Sequence, residues 1–556
     1  MKKIITYLLF LLTFSLVSCV TPQEEIKEKE YLVDGEDYID VAQTYDGESV
    51  YYDDSKWYYN KLDKIPLPDP HVFYEDGTYY IIGTTDHNND VTNCYTTEDF
   101  VTFTLHKAIY DPSLYDGWER DVDPDIYAPE MYEFDGVYYM YYSANDESGT
   151  RLNSVVSADN PLGPFKPIVN DKVDGLNNAL LKPTPEANQP KRALDATIFV
   201  DDDGKMYMYY VVTSQLQYIV GVEMKSPYEP IWSTVKDLIK PGYVDSNFRY
   251  VELEWETYRN EKQKFIAEAP YMLKSNGKYY LTYSVNGCWD KHYNVCYAVS
   301  DTPLGNFVKP YEVGKMWTNL LMGYPGDNNP ESEIYQQWNN FSSGSAHHCF
   351  FYIGNQLMIG YHAHKDKAWD SSDAYTERYF AMDYVYFDNE GVPFVNGPTY
   401  SPQPLPETLS NYKNIAPLAK VETDYALNIE YINDNYIVDC SNLVQEEGKE
   451  VGLESGITTI TMTFDKEYYI GGIMVYVSGY YDMVFTEIDT IDFGNNNIIY
   501  YPQYCSDLFM DDSTQFVFPC SAFIIDIQKE FISNSVVITF DLPEEGQINE
   551  IVILGR

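Results

Sequence analysis

The stretch FVDDDGKMYMYYV, residues 199–211, decides the fold of this 556-residue chain. An apolar strand end enters an Asp-Gly turn and an alternating aromatic strand follows, which is the pattern of a tight β-hairpin. Four other segments repeat it, namely FYEDGTYYIIGTT (73–85), YEFDGVYYMYYSA (132–144), LKSNGKYYLTYS (273–284) and YIGNQLMIGYHA (352–363). Their turn glycines are spaced widely enough for about four strands per repeat.

A unit of about four strands, repeated five times without a long amphipathic helix, is typical of blades around a central channel. We therefore predict an all-β chain with a five-bladed β-propeller over residues 61–400. Residues 401–414 are polar and Pro-rich, as expected of a linker. The strands beyond them alternate at period two and predict an antiparallel, jelly-roll-like β-sandwich over 415–556.

The charge excludes two classes of partner. The chain has 86 acidic and 37 basic residues, giving a formal net charge of −49. Nucleic acid is therefore not expected to bind, because phosphate recognition needs clustered Lys and Arg. An anionic membrane surface is excluded on the same ground.

The N-terminus predicts export. MKKIITYLLFLLTFSLVSCV has two lysines, a short apolar run and then small residues, which is typical of a signal peptide over 1–19. The residues LVSC at 16–19 resemble a lipobox, and this resemblance implies a lipidated Cys19. The chain would then be lipid-anchored to the bacterial cell envelope, at the outer membrane or cell surface in a Gram-negative cell, with 20–60 as an acidic tether. An ordinary signal peptide with a chance cysteine is the alternative, and the anchor is the only membrane contact expected.

The seven remaining cysteines do not form a disulfide scaffold or a close-spaced zinc motif. Cys505 and Cys520 are our first choice for one incidental disulfide. Their pairing cannot be derived from spacing alone.

Each repeat places a polar residue six to nine positions before its turn glycine: Asp69, Glu130, Asp195, Glu268 and His347. The innermost strands of a propeller line its channel, so a shared offset predicts a shared height around the axis. Each residue alone is more often structural than functional. Asp195 is the least easily explained, because a carboxylate in an apolar strand costs free energy unless it is paired or used.

Extended upstream, the repeats begin PDPHVF (68), YAPEMY (127), LDATIF (194), AEAPYM (267) and GSAHHC (344). In this order they resemble the five blade signatures of glycoside hydrolase family 43, over roughly residues 65–400. The resemblance implies that Asp69 is the general base, Asp195 the pKa modulator and Glu268 the general acid. The family commonly has Gly-Pro after the acid, whereas Ala269-Pro270 follows here.

The resemblance also implies secondary contacts. His347 occupies the fifth-blade histidine position, which in some members lies near a channel-bound calcium, so a structural Ca²⁺ is expected although no cofactor is required. Arg378 corresponds to an arginine that steadies the modulator. Glu130, His347, Trp289 and Arg378 are the expected substrate contacts.

These observations predict an inverting glycoside hydrolase that acts on plant-type polysaccharide or oligosaccharide. The resemblance suggests α-L-arabinofuranosidase or β-D-xylosidase activity, and the partner is a carbohydrate. The alternative is a non-catalytic glycan-binding surface lipoprotein. NIAPLAKVE (414–422) and INEIVILG (548–555) resemble discoidin-like modules, which either bind carbohydrate or pack passively.

Overall fold

The computed structural model describes most of the chain. The described residues are 30–33, 36–40, 53–60, 65–85, 91–115, 125–168, 192–213, 216–244, 250–251, 253–256, 265–289, 293–310, 319–323, 344–364, 378–395, 397–399, 402–435, 450–477, 488–500, 508–511, 514–517 and 522–556. The predicted signal peptide, Cys19 and the Cys505–Cys520 pair lie outside them. Within these ranges, no helix has the length and apolar character needed to cross a bilayer.

Five antiparallel sheets form the blades of a propeller, as predicted. Three short strands precede them: β1 (Glu30–Val33), β2 (Glu36–Asp40) and β3 (Trp57–Tyr58). Blade 1 contains β4 (His71–Glu75), β5 (Thr78–Ile82), β6 (Thr92–Thr97) and β7 (Thr102–Tyr110), and blade 2 contains β8 (Tyr127–Phe134), β9 (Val137–Asn145), β10 (Arg151–Ala158) and β11 (Lys166–Pro167).

The other three blades follow the same order. Blade 3 contains β12 (Arg192–Val200), β13 (Met206–Thr213), β14 (Gln217–Ser226), β15 (Glu229–Pro230) and β16 (Lys236–Ile239), and the pair β17 (Tyr243–Val244) and β18 (Tyr250–Val251) comes next. Blade 4 contains β19 (Ala267–Ser275), β20 (Lys278–Val285), β21 (Asn294–Ser300) and β22 (Leu320–Met322). Blade 5 contains β23 (Ala346–Ile353), β24 (Gln356–His364), β25 (Arg378–Phe387) and β26 (Pro393–Val395).

The first hairpin of each blade closes where the Gly-containing turns predict it. Asp76 and Gly77, for example, have φ values of 46° and 92°, and Asn276 and Gly277 have 46° and 74°. Two successive positive φ angles are the geometry of the hairpin turns that Asn-Gly and Asp-Gly favour. The five local signals therefore set the register of the inner strands.

Apolar side chains between neighbouring blades hold the ring together. Each of the five blade junctions has its own buried cluster, and the junction of blades 5 and 1 is closed by residues such as Ile81 and Met358. Fully buried tyrosines, including Tyr141, Tyr209 and Tyr283, are prominent in these clusters. Burial of this apolar surface is the main favourable contribution to folding.

The prediction of a solvated tether over residues 20–60 is wrong for its C-terminal part. Lys56, Trp57 and Tyr58 are at most 3% exposed. The backbone of β2 pairs with β7, so the segment also extends the sheet of blade 1. The acidic composition predicted solvation, but strand pairing and the burial of two aromatic rings outweigh it.

In the C-terminal β unit, residues 413–556, the described residues form nine strands in one hydrogen-bonded antiparallel set. The strands of this part are β27 (Gln403–Pro404), β28 (Lys413–Asn414), β29 (Lys420–Thr423), β30 (Ala426–Leu427), β31 (Val451–Leu453), β32 (Gly456–Val477), β33 (Ile488–Asp492), β34 (Ile498–Tyr500), β35 (Leu508–Asp511), β36 (Thr514–Val517), β37 (Ala522–Leu542) and β38 (Gly546–Gly555). Short 3₁₀ turns span Pro112–Leu114, Trp232–Thr234, Glu254–Glu256, Ala416–Leu418 and Ile429–Tyr431. A large apolar core lies within the unit, and the discoidin-like assignment stays a prediction.

The C-terminal β unit packs against the propeller. Trp57 lies fully buried in a cluster with Met474 and Leu554. The predicted linker contributes as well, because its Gln403 pairs with Tyr58 through β27 and β3. The N-terminal segment around Trp57 and Tyr58 thus packs between the propeller and the C-terminal β unit.

Candidate active site

Every blade has one residue with left-handed backbone in its first strand or, in blade 1, two residues before it, and the chain bends there. These residues are Asp69, Ala128, Asp195, Ala269 and His347, with φ between 44° and 54°. In blades 2 to 5 the bend coincides with a shift in strand register. Non-glycine residues seldom adopt this conformation, and where they do it is often at functional sites. The bends lie at the same end of the five inner strands and mark one mouth of the channel.

Asp69 is a buried carboxylate held by positive and polar groups. Its Oδ1 lies 2.9 Å from Arg378 Nη1 and 3.2 Å from His347 Nδ1. Thr84 Oγ1 donates to its Oδ2. Burial alone would raise the pKa of Asp69, but the charges of Arg378 and His347 more than compensate and hold this pKa well below its usual range. Asp69 is therefore ionised at neutral pH.

Asp195 reaches from blade 3 to blade 4. Its backbone N–H donates to Ser143 Oγ at 3.1 Å, and its Oδ2 accepts from the Ala269 N–H at 3.1 Å. The side chain is buried. Burial, opposed by His347, raises the pKa of Asp195. The bond to Ala269 places its carboxylate beside the residue that precedes Ala269, which is Glu268.

Glu268 has the opposite electrostatic environment to Asp69. Burial of its carboxyl group and the negative charge of Asp195 raise the pKa of Glu268 to about 8. The carboxyl group therefore retains its proton at neutral pH. One acid of the site is held ionised and the other protonated, an arrangement that assigns different chemistry to two carboxyl groups.

The structure thus brings together five of the residues that the sequence singled out: Asp69, Asp195, Glu268, His347 and Arg378. Asp69 contacts two of them directly, and both aspartates act on the pKa of Glu268. Arg378 bonds to Asp69, and its correspondence with the arginine that steadies the modulator stays a prediction. The catalytic roles themselves stay predictions.

The prediction of a shared height is wrong for Glu130. It lies two residues beyond the bend at Ala128, at the register position of Thr197 in blade 3. Tyr132 donates to its carboxyl group, and burial raises the pKa of Glu130 to about 8. Counting back from the turn glycine could not reveal this, because the register shift changes which side chains lie level.

Trp289 is half-buried on the loop after β20, where its ring covers Gly287. The Nδ1 of His347 is directed at Asp69. In the part of the chain that the structure describes, no group of three His, Cys, Asp or Glu side chains could hold a metal ion. The calcium expected near His347 stays a prediction.

Sequence reasoning missed the residues that hold the bends. The Asp69 N–H donates to His362 Nδ1 at 3.1 Å, the His347 N–H to Ser284 Oγ at 2.9 Å, and the Ala128 N–H to Thr84 Oγ1 at 2.8 Å. Burial lowers the pKa of His362 to about 3, so its ring is neutral and can accept this bond. The signal available in the sequence was a polar residue near the C-terminal end of the second strand in four blades.

Comparisons with known proteins show the family of the chain. The family model for glycosyl hydrolases family 43 matches residues 62–393. Xylosidase/arabinosidase 43A of Humicola insolens is 30% identical over 264 residues, which are 41% of this chain and 73% of that protein. The β-xylosidase of Xylanibacter ruminicola is 31% identical over 201 residues, 34% of this chain and 56% of that protein. A thermostable family-43 glycoside hydrolase of known structure has 26% identity and a TM-score of 0.48, covering 63% of this chain and 99% of that one.

Proposed function

Because this chain belongs to glycosyl hydrolases family 43, we propose that its channel mouth cleaves glycosidic bonds with inversion at the anomeric carbon. The observation that carries the proposal is the opposite displacement of two carboxyl pKa values in one site. The pKa of Asp69 is held low by Arg378 and His347, and that of Glu268 is raised to about 8. An inverting glycosidase needs such a pair, one carboxylate to activate water and one acid to protonate the leaving oxygen.

In the proposed mechanism Glu268 donates its proton to the glycosidic oxygen as the bond to the anomeric carbon lengthens. Asp69 accepts a proton from the water that attacks from the opposite face of the sugar. Asp195 contributes a negative charge beside Glu268, which keeps the proton on the acid until the substrate takes it. Arg378 keeps Asp69 ionised between turnovers.

We propose α-L-arabinofuranose or β-D-xylose as the sugar released from plant-type poly- or oligosaccharide. The support is indirect, since the relatives named xylosidase or arabinosidase align with only 41% and 34% of this chain. Matched alignments span about half to three quarters of those relatives.

The proposal is tested with aryl α-L-arabinofuranosides and aryl β-D-xylosides, using ¹H NMR to identify the first anomer formed. We expect release of one of these sugars with inverted configuration. Retention of configuration would contradict the pairing of Asp69 with Glu268. Binding without cleavage across a broad glycan panel would instead support a glycan-capture protein.

We further propose export and lipid anchoring through Cys19, with the C-terminal β unit in a discoidin-like, glycan-binding role. The lipobox-like LVSC supports the first part and the motifs at 414–422 and 548–555 support the second. Metabolic labelling with an alkynyl fatty acid should mark the wild-type chain and not Cys19→Ser. Affinity electrophoresis of the whole protein with an E268Q substitution, on arabinoxylan, tests glycan binding without cleavage.

A further inference from the structure

The bends of the five inner strands are tied together by a ring of side chain to amide bonds. In four blades the acceptor lies near the C-terminal end of the second strand and binds the bend amide of the next blade: Thr84 to Ala128, Ser143 to Asp195, Ser284 to His347, and His362 to Asp69. The fifth bond breaks the pattern. The Ala269 N–H of blade 4 is bound by Asp195 Oδ2, from the first strand of blade 3.

Val211 occupies the acceptor position in blade 3. It pairs with Leu194, the residue before the bend, as Ser143 pairs with Tyr127 and Ser284 pairs with Glu268. Its side chain is fully buried in the apolar cluster between blades 3 and 4. An isopropyl group has no lone pair to offer, so the Ala269 amide would be an unsatisfied buried donor without Asp195.

We propose that Val211 is a positioning residue for the proton donor. Because Val211 cannot bind the Ala269 amide, Asp195 crosses to blade 4 and its carboxylate is fixed beside Glu268. The inference rests on the proposed roles of Asp195 and Glu268.

Blade 1 shows the alternative arrangement within the same molecule. Thr84 Oγ1 accepts from the Ala128 N–H at 2.8 Å and donates to the carboxylate of Asp69. The hydroxyl therefore stands between the bend carboxylate and the amide of the next blade. In blade 3 no such hydroxyl intervenes, and the carboxylate itself makes the inter-blade bond.

The nearly isosteric substitution Val211→Thr tests the inference, because it converts blade 3 to the arrangement of blade 1. The new hydroxyl should accept the hydrogen bond from the Ala269 N–H. It would then stand between that amide and the Asp195 carboxylate, which would lie further from blade 4. With that charge further away, the pKa of Glu268 should fall, and the alkaline limb of kcat/KM should move down by about 0.5–1 pH unit. The acid limb, set by Asp69, should not move.

Val212→Thr is the matched control. Val212 is also fully buried on β13, but it packs in the cluster between blades 2 and 3. Its hydroxyl costs comparable stability without entering the site, so its pH profile should keep the wild-type limbs. If Val211→Thr does not fold, Val211→Ser with Val212→Ser repeats the comparison.

Failure of the inference about Val211 can be distinguished from failure of the proposed function. Equal alkaline limbs for Val211→Thr and Val212→Thr, in an active and folded enzyme, would overturn the inference and leave the proposed function intact. A wild-type protein that hydrolyses no glycoside would instead overturn the proposed function. A lower kcat with an unmoved alkaline limb would mean that Val211 only packs, which also contradicts the inference.

Discussion

At the scale of single residues, the chemistry depends on two carboxyl groups that burial and neighbouring charge push apart. Asp69 has an arginine and two histidines within 3.2 Å of Oδ1, whereas Glu268 lies beside another acid. The same side-chain chemistry therefore gives a base and an acid in one pocket. Both roles can be tested by substitution and by pH.

The effect of replacing the acid Glu268 on kcat should depend on the leaving group of the substrate. Glu268→Gln should lower kcat by about 100- to 10,000-fold on arabino- or xylo-oligosaccharides, because an alkoxide leaves poorly without a proton. The loss should be much smaller on nitrophenyl glycosides, whose leaving group needs little protonation. Asp69→Asn should lose activity on both substrates, and exposed Glu454→Gln on neither. Equal losses on both substrates for Glu268→Gln would contradict its role as acid.

The pH dependence follows from the two pKa displacements. The pKa of Glu268 is raised to about 8, so activity should fall as pH rises through about 8 and the acid loses its proton. The pKa of Asp69 is held low, so activity should persist well below pH 7 until Asp69 is protonated. Initial rates of wild-type enzyme from pH 4 to 10 measure both limbs. An alkaline limb that survives unchanged in Glu268→Gln would assign it to another group.

At the scale of elements, hydrogen bonds between hairpins hold the strained bends. Each bend residue adopts a conformation that costs free energy, and its amide is bound by a side chain of the preceding blade. The bonds of blade 1 also reach the catalytic carboxylate, because Thr84 contacts both Ala128 and Asp69. Element geometry and catalysis are therefore coupled there.

The substitution Thr84→Val should affect both the stability of the fold and the pH dependence of activity. It removes the acceptor of the Ala128 amide and a donor to Asp69, which should destabilise the fold by about 1–3 kcal/mol. Loss of the donor should raise the pKa of Asp69, so the acid limb of activity should move to higher pH. Urea denaturation and the pH–rate profile check the two effects. Thr78→Val, at the start of β5, is the control. If the acid limb lies at the same pH in both variants, the coupling between the Thr84 bonds and the pKa of Asp69 is contradicted.

At the scale of the whole molecule, one short N-terminal segment joins the propeller to the C-terminal β unit. Lys56 Nζ lies 2.7 Å from Asp526 Oδ1, with side-chain exposures of 3% and 5%. Trp57 Nε1 also donates to Asp526. A buried ion pair is weak evidence of net stability, but the loss of one partner leaves an uncompensated charge.

Asp526→Ala should therefore destabilise the protein by about 3–5 kcal/mol, because Lys56 is left buried without its main counter-ion. Differential scanning calorimetry of the full chain measures the loss. Glu229→Ala removes the partner of Lys225, which is 70% exposed, and should leave the transition unchanged. Equal transitions for the two variants would show that Asp53, already 3.2 Å from Lys56 Nζ, or water is a sufficient partner.

The sequence by itself determined the hairpins, the five-fold repetition and the family, because turn chemistry and period-two alternation are local properties. It also selected Asp69, Asp195 and Glu268. Only the tertiary structure decided what those residues touch. The partner of Asp195 is 74 positions away in the chain, and Glu130 lies two residues beyond the bend of its strand. Lys56 and Trp57 are buried and contact Asp526, about 470 positions distant, which composition could not anticipate. Local signals specify strands, whereas the positions of side chains across blades depend on packing of the complete ring.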